Sequence, residues 1–349
     1  MEPTFSWPAL IGQLVKGESL APESAAWAMN EIMEGAATPS QIAGFGIAMR
    51  MKGETPAEVD GMASGMLAHA TPLSIPGRLV DLVGTGGDRA RTVNISTMGT
   101  IAAAAAGAKM AKHGNRAASS ACGTADVLEA LGVVIDLQPA ATEKLAQETG
   151  VVFLFAPLYH PALRHTAVPR RELGVPTVFN FLGPVANPAR PHAQAVGVAD
   201  ARMGPVLAGV LARRGCSALV FHGDDGLDEL TTTGPSTVWV VRDGQVAETR
   251  FDPESIGIPR CVPDDLVGGD PAHNAGVVRA LLAGKRGPVR ETVLLNAAAA
   301  LVAEAGTPEV SGLDEALRNG YERAQAVVDS GAAAGLLDRW VAASRRLAG

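Results

Sequence analysis

A glycine-rich segment that follows an apolar run has the clearest chemical meaning in this sequence. Residues 84–88 read GTGGD and residues 94–97 read NIST. Glycines after a strand let backbone N–H groups approach an anion closely, because no Cβ stands in the way. The Asn94 amide and the Ser96 and Thr97 hydroxyls add neutral donors. The pattern predicts a phosphate or pyrophosphate site, and the alternative is a tight turn followed by a helix cap.

The segment matches neither of the two common phosphate loops. A dinucleotide fingerprint would need glycine where Arg89 stands, and the chain contains no G-x-x-x-x-G-K-[ST]. The sequence therefore predicts phosphate recognition by a less common design.

A basic segment follows the next predicted strand. Residues 112–116 read KHGNR and residues 117–120 read AASS. Ligands bind at the carboxyl ends of strands in open α/β sheets, so Lys112 and Arg116 are candidate phosphate ligands. We interpret His113 as structural and not as a general base. The alternative for the whole segment is a solvated, charged loop.

Clustered carboxylates follow a third predicted strand, where residues 222–230 read HGDDGLDEL. Oxygen ligands at a strand end, in a protein that also binds phosphate groups, favour a hard cation such as Mg²⁺. Neither H-E-x-x-H nor C-x-x-C is present for zinc. The alternative is an acidic surface turn.

Arg170 and Arg171 form a basic pair between prolines. A planar guanidinium pairs well with a carboxylate, so this pair is a candidate site for a carboxylated substrate. The alternative is an exposed basic helix end.

Alternating apolar and helix-forming segments must position these motifs. The pattern favours an α/β fold with a central, mostly parallel sheet flanked by helices on both faces. Val238–Val241 followed by Asp243-Gly244 predicts a hairpin. Predicted strands are 79–83, 108–112, 151–155, 194–198 and 217–221, and predicted helices are 96–106, 124–131, 141–149, 203–214, 291–304 and 313–346.

The first 72 residues predict a small N-terminal helical domain. Thr38 and Thr55 each precede a proline and have Gln or Glu three residues on, which is the pattern of a capping box. The proline-bounded, basic segment 160–188 is predicted to be a helical crossover that completes this domain. The predicted larger, catalytic α/β domain consists of 73–159 and 189–349.

Composition limits the class of protein. Of 349 residues 47% are hydrophobic but only 4% aromatic, which suits helices packed on a parallel sheet. The net charge of −7 argues against nonspecific binding to nucleic acid or to an anionic membrane. Three widely separated cysteines favour a reducing, cytoplasmic setting without a disulfide framework. We find neither a secretory signal pattern nor an apolar run of the ~20 residues that span a membrane.

The ordered motifs resemble those of one enzyme family. GTGGD, NIST, KHGNRxxSS, ADVLEALG, HPALRH, PRRELG, FNFLGPxANP and HGxDGLDEL occur in the order and spacing of the anthranilate phosphoribosyltransferases of tryptophan biosynthesis. The resemblance extends over about residues 10–345. It implies a nucleoside-phosphorylase-like fold and a homodimer formed through the helical domains. It also implies Mg²⁺-dependent transfer of a phosphoribosyl group from 5-phosphoribosyl 1-pyrophosphate (PRPP) to anthranilate.

The resemblance implies roles for individual residues, with no covalent intermediate on the protein. Anthranilate would contact Gly84, Asn115 and Arg170, although Val168-Pro169 inverts the family's usual proline–valine order. Mg²⁺ would be bound by Ser96, Asp228 and Glu229. PRPP would be bound by Gly84, Gly87, Asp88, Thr92, Asn94, Ile95, Ser96, Thr97, Lys112, His113, Gly114, Asn115, Arg116, Ala117, Ala118, Ser119, Ser120 and Thr124.

Two other functions fit parts of the pattern. A pyrimidine nucleoside phosphorylase has a similar architecture and glycine-rich loop, but it needs no paired acidic motif, and Asn115 also argues against it. A non-catalytic relative that binds nucleic acid should carry a basic groove, which the acidic charge balance does not favour.

Overall fold

A single sheet organises the larger part of the molecule. The computed structural model describes residues 5–117 and 121–349. Its strands are β1 (Leu79–Gly84), β2 (Lys109–Gly114), β3 (Val151–Phe155), β4 (Ala193–Gly197), β5 (Ser217–Gly223), β6 (Ser236–Arg242) and β7 (Gln245–Phe251). In the described residues these seven strands are ordered β3-β2-β1-β4-β5-β6-β7. Neighbours from β3 to β5 are parallel, and β6 and β7 are added antiparallel, which confirms the predicted mostly parallel sheet.

Helices precede the sheet in the chain and also cover its faces. In the part of the chain that the structure describes, four come before β1, namely α1 (Trp7–Val15), α2 (Pro22–Met33), α3 (Pro39–Lys52) and α4 (Pro56–Ala68). The others are α5 (Ile95–Ala105), α6 (Thr124–Leu131), α7 (Pro139–Thr149), α8 (Ala156–Tyr159), α9 (Ala167–Leu173), α10 (Gly204–Arg213), α11 (Pro271–Leu282), α12 (Pro288–Ala305), α13 (Leu313–Asp329) and α14 (Ala332–Ala348).

The central strands β1 and β4 are mostly apolar and are buried on both faces, and the polar Asp81 and Gln194 within them are buried as well. Leu82 belongs to the core formed with α5 and α12, whereas the next residue, Val83, belongs to the core formed with α10 and the N-terminal helices. The approach of α5 is close, since a Cβ at Gly99 would lie 2.8 Å from the Leu82 side chain. This double coverage is what a parallel sheet requires.

Local sequence signals begin and end the N-terminal helices. The Thr38 hydroxyl accepts a hydrogen bond from Gln41 N–H at 3.3 Å, and the Gln41 side chain accepts one from Thr38 N–H at 2.8 Å. Thr55 and Glu58 make the same reciprocal pair at the start of α4. Both predicted capping boxes are confirmed.

Glu58 also joins several parts of the helical region. Its Oε2 lies 2.6 Å from Lys52 Nζ, and both side chains are almost fully buried. Its Oε1 accepts a hydrogen bond from Leu20 N–H at 2.7 Å. One carboxylate therefore links the loop before α2, the end of α3 and the start of α4.

The segment between β3 and β4 differs from its helical prediction. It contains the seven-residue α9, and its other helical parts are the four-residue α8 and short 3₁₀ turns. Prolines at close intervals remove backbone donors and prevent a longer helix. The segment lies against the N-terminal helices, since a Cβ at Gly46 of α3 would be 3.3 Å from the Phe179 ring.

Turn residues were easier to predict from the sequence. Asp243 and Gly244 have φ of +50° and +75° and join β6 to β7, so the predicted hairpin is confirmed. Gly331, at φ +77°, divides the predicted helical stretch 313–346 into α13 and α14.

The three cysteines all lie in the described part of the chain, and none is in a disulfide. Burial raises the pKa of each thiol, to about 11 for Cys122. Among the described helices, none is long and apolar enough to cross a membrane.

Candidate active site

The glycine-rich segment after β1 owes its shape to backbone conformation. Gly86 and Gly87 have φ of +70° and +92°, where a side chain would be strained although no atom lies nearby to oppose a Cβ. Thr85 anchors the segment to the loop after β4, because its N–H donates to Gly197 O at 3.0 Å and its hydroxyl accepts from Ala199 N–H at 3.1 Å. The result is a fixed loop that presents backbone at the surface.

The N-terminus of α5 lies beside this loop. Asn94 is its N-cap residue but makes no side-chain capping bond, and Ser96 N–H donates to Glu229 Oε1 at 3.1 Å. Thr97 is buried, and its hydroxyl lies 3.4 Å from the hydroxyl of Thr124 at the start of α6. A helix N-terminus carries partial positive charge and favours anions.

Lys112 supplies a buried positive charge at the end of β2. Its Nζ donates to Leu82 O at 2.5 Å and to Ser96 Oγ at 3.1 Å. Burial lowers the pKa of Lys112, whereas the carboxylates of Asp81 and Glu229 act in the opposite direction. The ammonium therefore lies between the glycine strand and the acidic residues.

Asp228 and Glu229 follow β5 and lie directly against the glycine segment. Asp228 Oδ2 accepts a hydrogen bond from Gly86 N–H at 2.6 Å. A Cβ at Gly84 would lie 2.1 Å from that oxygen, and a Cβ at Gly197 would lie 1.7 Å from the Asp228 carbonyl oxygen. Only glycine at these two positions lets the acidic turn come so close.

Both acidic side chains are more than nine-tenths buried. Burial raises the pKa of Asp228 to about 7, and the Asp88 carboxylate adds to the shift. Burial and the charge of Asp228 raise the pKa of Glu229 to about 8. Glu229 Oε2 is buried and has no hydrogen-bond partner among the described residues. The positive charge near the two carboxylates is therefore too small to offset their negative charge.

Asn296 of α12 fixes the acidic turn from behind. Its Oδ1 accepts from Leu230 N–H at 2.9 Å, and its Nδ2 donates to Leu230 O at 2.8 Å. This pair satisfies the backbone of the residue next to Glu229. Sequence reasoning missed Asn296, and the available signal was a single amide within the otherwise apolar stretch 293–303 of α12.

The loop after β2 is closed at its base by Asp126. Asp126 Oδ2 accepts from Ala117 N–H at 3.1 Å and from Gly123 N–H at 2.8 Å. Arg116 pairs with Asp126 and Glu129, and its guanidinium lies 5.4 Å from the centre of the Phe155 ring. Its predicted role toward PRPP would require a change of partner. The predicted ligands Ala118, Ser119 and Ser120 lie outside the described residues.

The His113 side chain points away from the phosphate loop. Its Nδ1 lies 3.0 Å from Gly183 O, and its ring packs edge-on against His160 at 5.2 Å between centroids. Burial and the neighbouring imidazole lower the pKa of His113 to about 3. The side chain is neutral at pH 7, so any contact of His113 with PRPP would come from its backbone.

Arg170 lies in the last turn of α9 and is partly buried. Burial lowers the pKa of its guanidinium. Among the described residues no carboxylate pairs with it, whereas Arg171 beside it is exposed. Pro169 is buried and Val168 is exposed, so the inverted dipeptide leaves the proline as the packed residue.

The remaining predicted ligands lie on the same loops. Asp88 Oδ1 accepts a hydrogen bond from Ala90 N–H at 3.2 Å. The backbone of Thr92 forms an isolated antiparallel β-bridge with that of Val267. Asn115 O accepts from Ala125 N–H at 3.2 Å. Within the described ranges, hydrogen bonds thus join Ser96 to Lys112 and to Glu229, and a separate one joins Gly86 to Asp228, which is adjacent to Glu229 in the chain. The hydrogen bonds among the described residues do not connect Arg116, Arg170 or the His113 ring to these residues.

The acidic turn can be tested as a site for a divalent cation. In the described residues no three or more His, Cys, Asp or Glu side chains are arranged to hold a metal alone. Mg²⁺ is commonly bound by one or two carboxylates together with phosphate oxygens. The unpartnered Glu229 Oε2 and the raised pKa values fit a cation that binds together with a phosphorylated ligand.

Comparisons with known proteins decide the family. Models of a glycosyl transferase family match residues 8–70 as its helical bundle domain and residues 76–334 as its α/β domain. The chain is 60% identical over 340 residues to the anthranilate phosphoribosyltransferase of Thermobifida fusca (strain YX), with 97% of each chain covered. The chain belongs to the anthranilate phosphoribosyltransferase family. A second member, from Nocardioides sp. (strain ATCC BAA-499 / JS614), is 59% identical over 343 residues, which cover 98% of this chain and 99% of that one.

Solved structures of anthranilate phosphoribosyltransferases show the same fold. The enzyme from Thermus thermophilus aligns with a TM-score of 0.90 and 41% identity over 96% of this chain and 99% of that one. The enzyme from Saccharomyces cerevisiae, in complex with PRPP and Mg, aligns with a TM-score of 0.87 and 24% identity over 97% of this chain and 98% of that one. The family and fold implied by the ordered motifs are therefore confirmed.

Proposed function

We propose that the protein transfers the phosphoribosyl group of PRPP to anthranilate, giving N-(5-phosphoribosyl)anthranilate and pyrophosphate, in tryptophan biosynthesis. The observation that carries the proposal is the convergence of a glycine loop, a helix N-terminus, Lys112 and two buried carboxylates at the carboxyl ends of β1, β2 and β5. The high identity to anthranilate phosphoribosyltransferases over nearly the whole chain supports it.

The difficult step is cleavage of the bond between ribose C1′ and pyrophosphate. Negative charge grows on the departing pyrophosphate while the ribose becomes positively charged. Fixed donors aimed at that growing charge lower the barrier most, because they need no reorganisation. Lys112, the backbone N–H groups of the glycine loop and the N-terminus of α5 are such donors.

Asp228, Glu229 and Ser96 are the residues that we propose for Mg²⁺. A bound Mg²⁺ would neutralise pyrophosphate charge as a Lewis acid. Two buried carboxylates with raised pKa values and one unpartnered oxygen supply the necessary ligands. Ser96 Oγ already accepts a hydrogen bond from Lys112, so its hydroxyl faces the same group of charges.

Gly84, Asn115 and Arg170 are proposed to bind anthranilate. Its amine is largely unprotonated at neutral pH and needs little activation as a nucleophile. The protein therefore has mainly to hold the amine against C1′, which by itself lowers the barrier to reaction. The partly buried Arg170 guanidinium, which lacks a carboxylate partner among the described residues, is suited to the anthranilate carboxylate.

Loss of anthranilate fluorescence on addition of PRPP, with and without Mg²⁺, tests the function. We expect turnover that requires both PRPP and the metal. The same enzyme is then incubated with thymidine and phosphate. Release of free base there, without any loss of anthranilate fluorescence, would identify a nucleoside phosphorylase instead.

Assembly and location belong to the same proposal. We propose a homodimer formed through the helical region and a cytoplasmic location. Light scattering after gel filtration would give twice the 35.7 kDa chain mass for a dimer. Cell fractionation with an antibody to the chain tests the location.

A further inference from the structure

Asn274 lies outside every sequence motif but reaches the N-terminus of α5. Its side chain is 2% exposed. Its Nδ2 donates to Asn94 Oδ1 at 2.9 Å, and its Oδ1 accepts from Gly269 N–H at 2.8 Å. Asn94 Nδ2 in turn donates to Cys122 O at 3.1 Å, in the loop that follows β2. Four residues thus form one hydrogen-bonded chain.

The direction of this hydrogen-bonded chain is fixed at both ends. A backbone N–H group only donates and a backbone carbonyl only accepts. Gly269 therefore requires Asn274 to present its oxygen, and Cys122 requires Asn94 to present its amide nitrogen. The bond between the two carboxamides satisfies both requirements, which leaves Asn94 with one further Nδ2 hydrogen.

The segment that carries Asn274 is tied to the start of the phosphate region. Val93 N–H donates to Leu266 O at 2.9 Å, and Gly268 N–H donates to Arg91 O at 2.8 Å. A Cβ at Gly268 would lie 2.9 Å from Asn274 Oδ1, so glycine is needed there. The C-terminal third of the chain is therefore built closely against the residues that precede NIST.

We propose that Asn274 is a positioning residue for PRPP, because it holds the Asn94 carboxamide so that its remaining N–H faces the phosphate groups. A carboxamide that is free to turn must be ordered when the anion binds, which lowers the affinity, whereas one that is already held with its N–H toward the anion avoids that cost. This inference rests on the proposed function, since PRPP is the ligand that Asn94 would contact.

Asn274→Asp tests the direction of the hydrogen bonds. At pH 8 the new carboxylate still accepts from Gly269 but no longer donates to Asn94, so the Asn94 amide turns. We expect the KM for PRPP to rise about tenfold and the KM for anthranilate to stay unchanged. A protonated carboxyl donates again, so the ratio of variant to wild-type KM should fall as the pH is lowered. Cys122, Asp126, Asp270 and His273 are the ionisable groups nearby, and they are common to both proteins.

A double-mutant cycle separates positioning from simple charge repulsion. In an Asn94→Ala background, Asn274→Asp should add less than about twofold to the KM for PRPP, because Asn274 acts through Asn94. An equal penalty in both backgrounds overturns the inference. Asn274→Ala, which should raise the KM at every pH, replaces the aspartate if that variant does not fold.

Controls separate this inference from the proposed function. Thr307→Val removes a buried hydroxyl that donates to Val241 O at 2.6 Å, at the opposite end of the parallel strands, and should leave the KM for PRPP unchanged. A wild-type enzyme that binds no PRPP in Mg²⁺ buffer, as measured by calorimetry, contradicts the proposed function. A wild-type enzyme that binds PRPP while Asn274→Asp binds it equally well at pH 8 contradicts only the inference about Asn274.

Discussion

Asp228 and Glu229 are buried carboxyl groups with too little positive charge around them. Lys112 interacts with both, but one Glu229 oxygen has no partner among the described residues. Burying charge without full compensation is costly, so such an arrangement is retained where function needs it. This arrangement supports the cation site that we propose, in which a bound cation would supply the missing positive charge.

Replacing both carboxylates tests this interpretation through turnover. Asp228→Asn with Glu229→Gln keeps the shape of the side chains and removes both charges. We expect kcat to fall by at least about a hundredfold, because charge on the leaving group is no longer stabilised. Fluorescence assays across a Mg²⁺ titration measure the effect. Asp314→Asn with Glu315→Gln alters an exposed Asp-Glu pair in α13 and should change nothing. Wild-type turnover in the first variant would contradict the metal assignment.

The raised pKa values of the acidic pair predict how metal binding depends on pH. Asp228 and Glu229 have pKa values of about 7 and about 8, so both hold protons at pH 6. Mg²⁺ must displace these protons, and its affinity should rise by at least about tenfold between pH 6 and pH 8.5. Calorimetric titration of the PRPP-saturated protein with Mg²⁺ measures this. The variant with Asp228→Asn and Glu229→Gln measures the Mg²⁺ binding that does not depend on these carboxylates. A Mg²⁺ affinity of the wild type that does not change with pH would show that neither carboxylate is a ligand.

Arg170 and Arg171 offer a matched pair for testing the acceptor site. Arg170→Ala should raise the KM for anthranilate about tenfold or more and leave that for PRPP nearly unchanged, because it removes a charge-assisted hydrogen bond. Arg171→Ala, beside it but exposed, should have little effect. Steady-state kinetics with each substrate varied in turn measure both values. A selective loss of PRPP affinity would place Arg170 at the donor site.

Residue types could be predicted from the sequence better than their partners. Glycine, lysine and carboxylate at strand ends predict phosphate and metal chemistry from residue type and spacing alone. The bond from Asn296 to Leu230 and that from Asn274 to Asn94 join residues far apart in the chain, and no local pattern records them. Arg116 shows the same limit, since its pairing with Glu129 depends on how α6 packs.

At the scale of elements, Glu58 holds the helical region together. Glu58→Ala would leave Lys52 buried without its partner and Leu20 N–H without an acceptor. We expect the free energy of unfolding to fall by about 3–5 kcal/mol. Glu34→Ala, at an exposed helix end, should change it by less than about 0.5 kcal/mol. Guanidinium denaturation measures both variants, and equal midpoints would show that the buried pair contributes nothing.

Elements with continuous local signals could be predicted to within a few residues. Four of the five parallel strands are mostly apolar runs that end near glycine or polar residues, whereas β2 carries Lys109, Lys112 and His113. The capped helices begin at a threonine followed by proline. The segment 160–188 was harder, because prolines permit several conformations and tertiary packing selects one. Strand order depends on which runs pair, and the pattern of a single run does not contain that information.

At the scale of the whole molecule, one hydrophobic core joins the N-terminal helices to the sheet. It includes Phe45 and Met62 from the helices and Val196, Val220 and Trp239 from the strands. A Cβ at Gly209 of α10 would lie 2.6 Å from Pro56 of α4, so the two parts are in close contact. Elements that share a core should unfold together.

Tryptophan fluorescence can test that cooperativity. Trp7 and Trp27 report on the helical region, and Trp239 and Trp340 report on the α/β region. We compare two double variants. One carries both Trp7→Phe and Trp27→Phe, and the other carries both Trp239→Phe and Trp340→Phe. In each, the fluorescence midpoint on heating should match that protein's far-UV circular dichroism midpoint to within about 2 °C. An earlier fluorescence change from the helical region would mean that it unfolds separately.

The burial of Cys122 and Cys216 and the partial burial of Cys261 have a practical consequence for handling the protein. A thiol reacts with peroxides and alkylating agents through its thiolate, and burial raises the pKa of Cys122, Cys216 and Cys261 so that each stays protonated near neutral pH. Oxidation of these thiols in the folded protein should therefore be slow. Storage without added reductant should leave them reduced for as long as the chain stays folded.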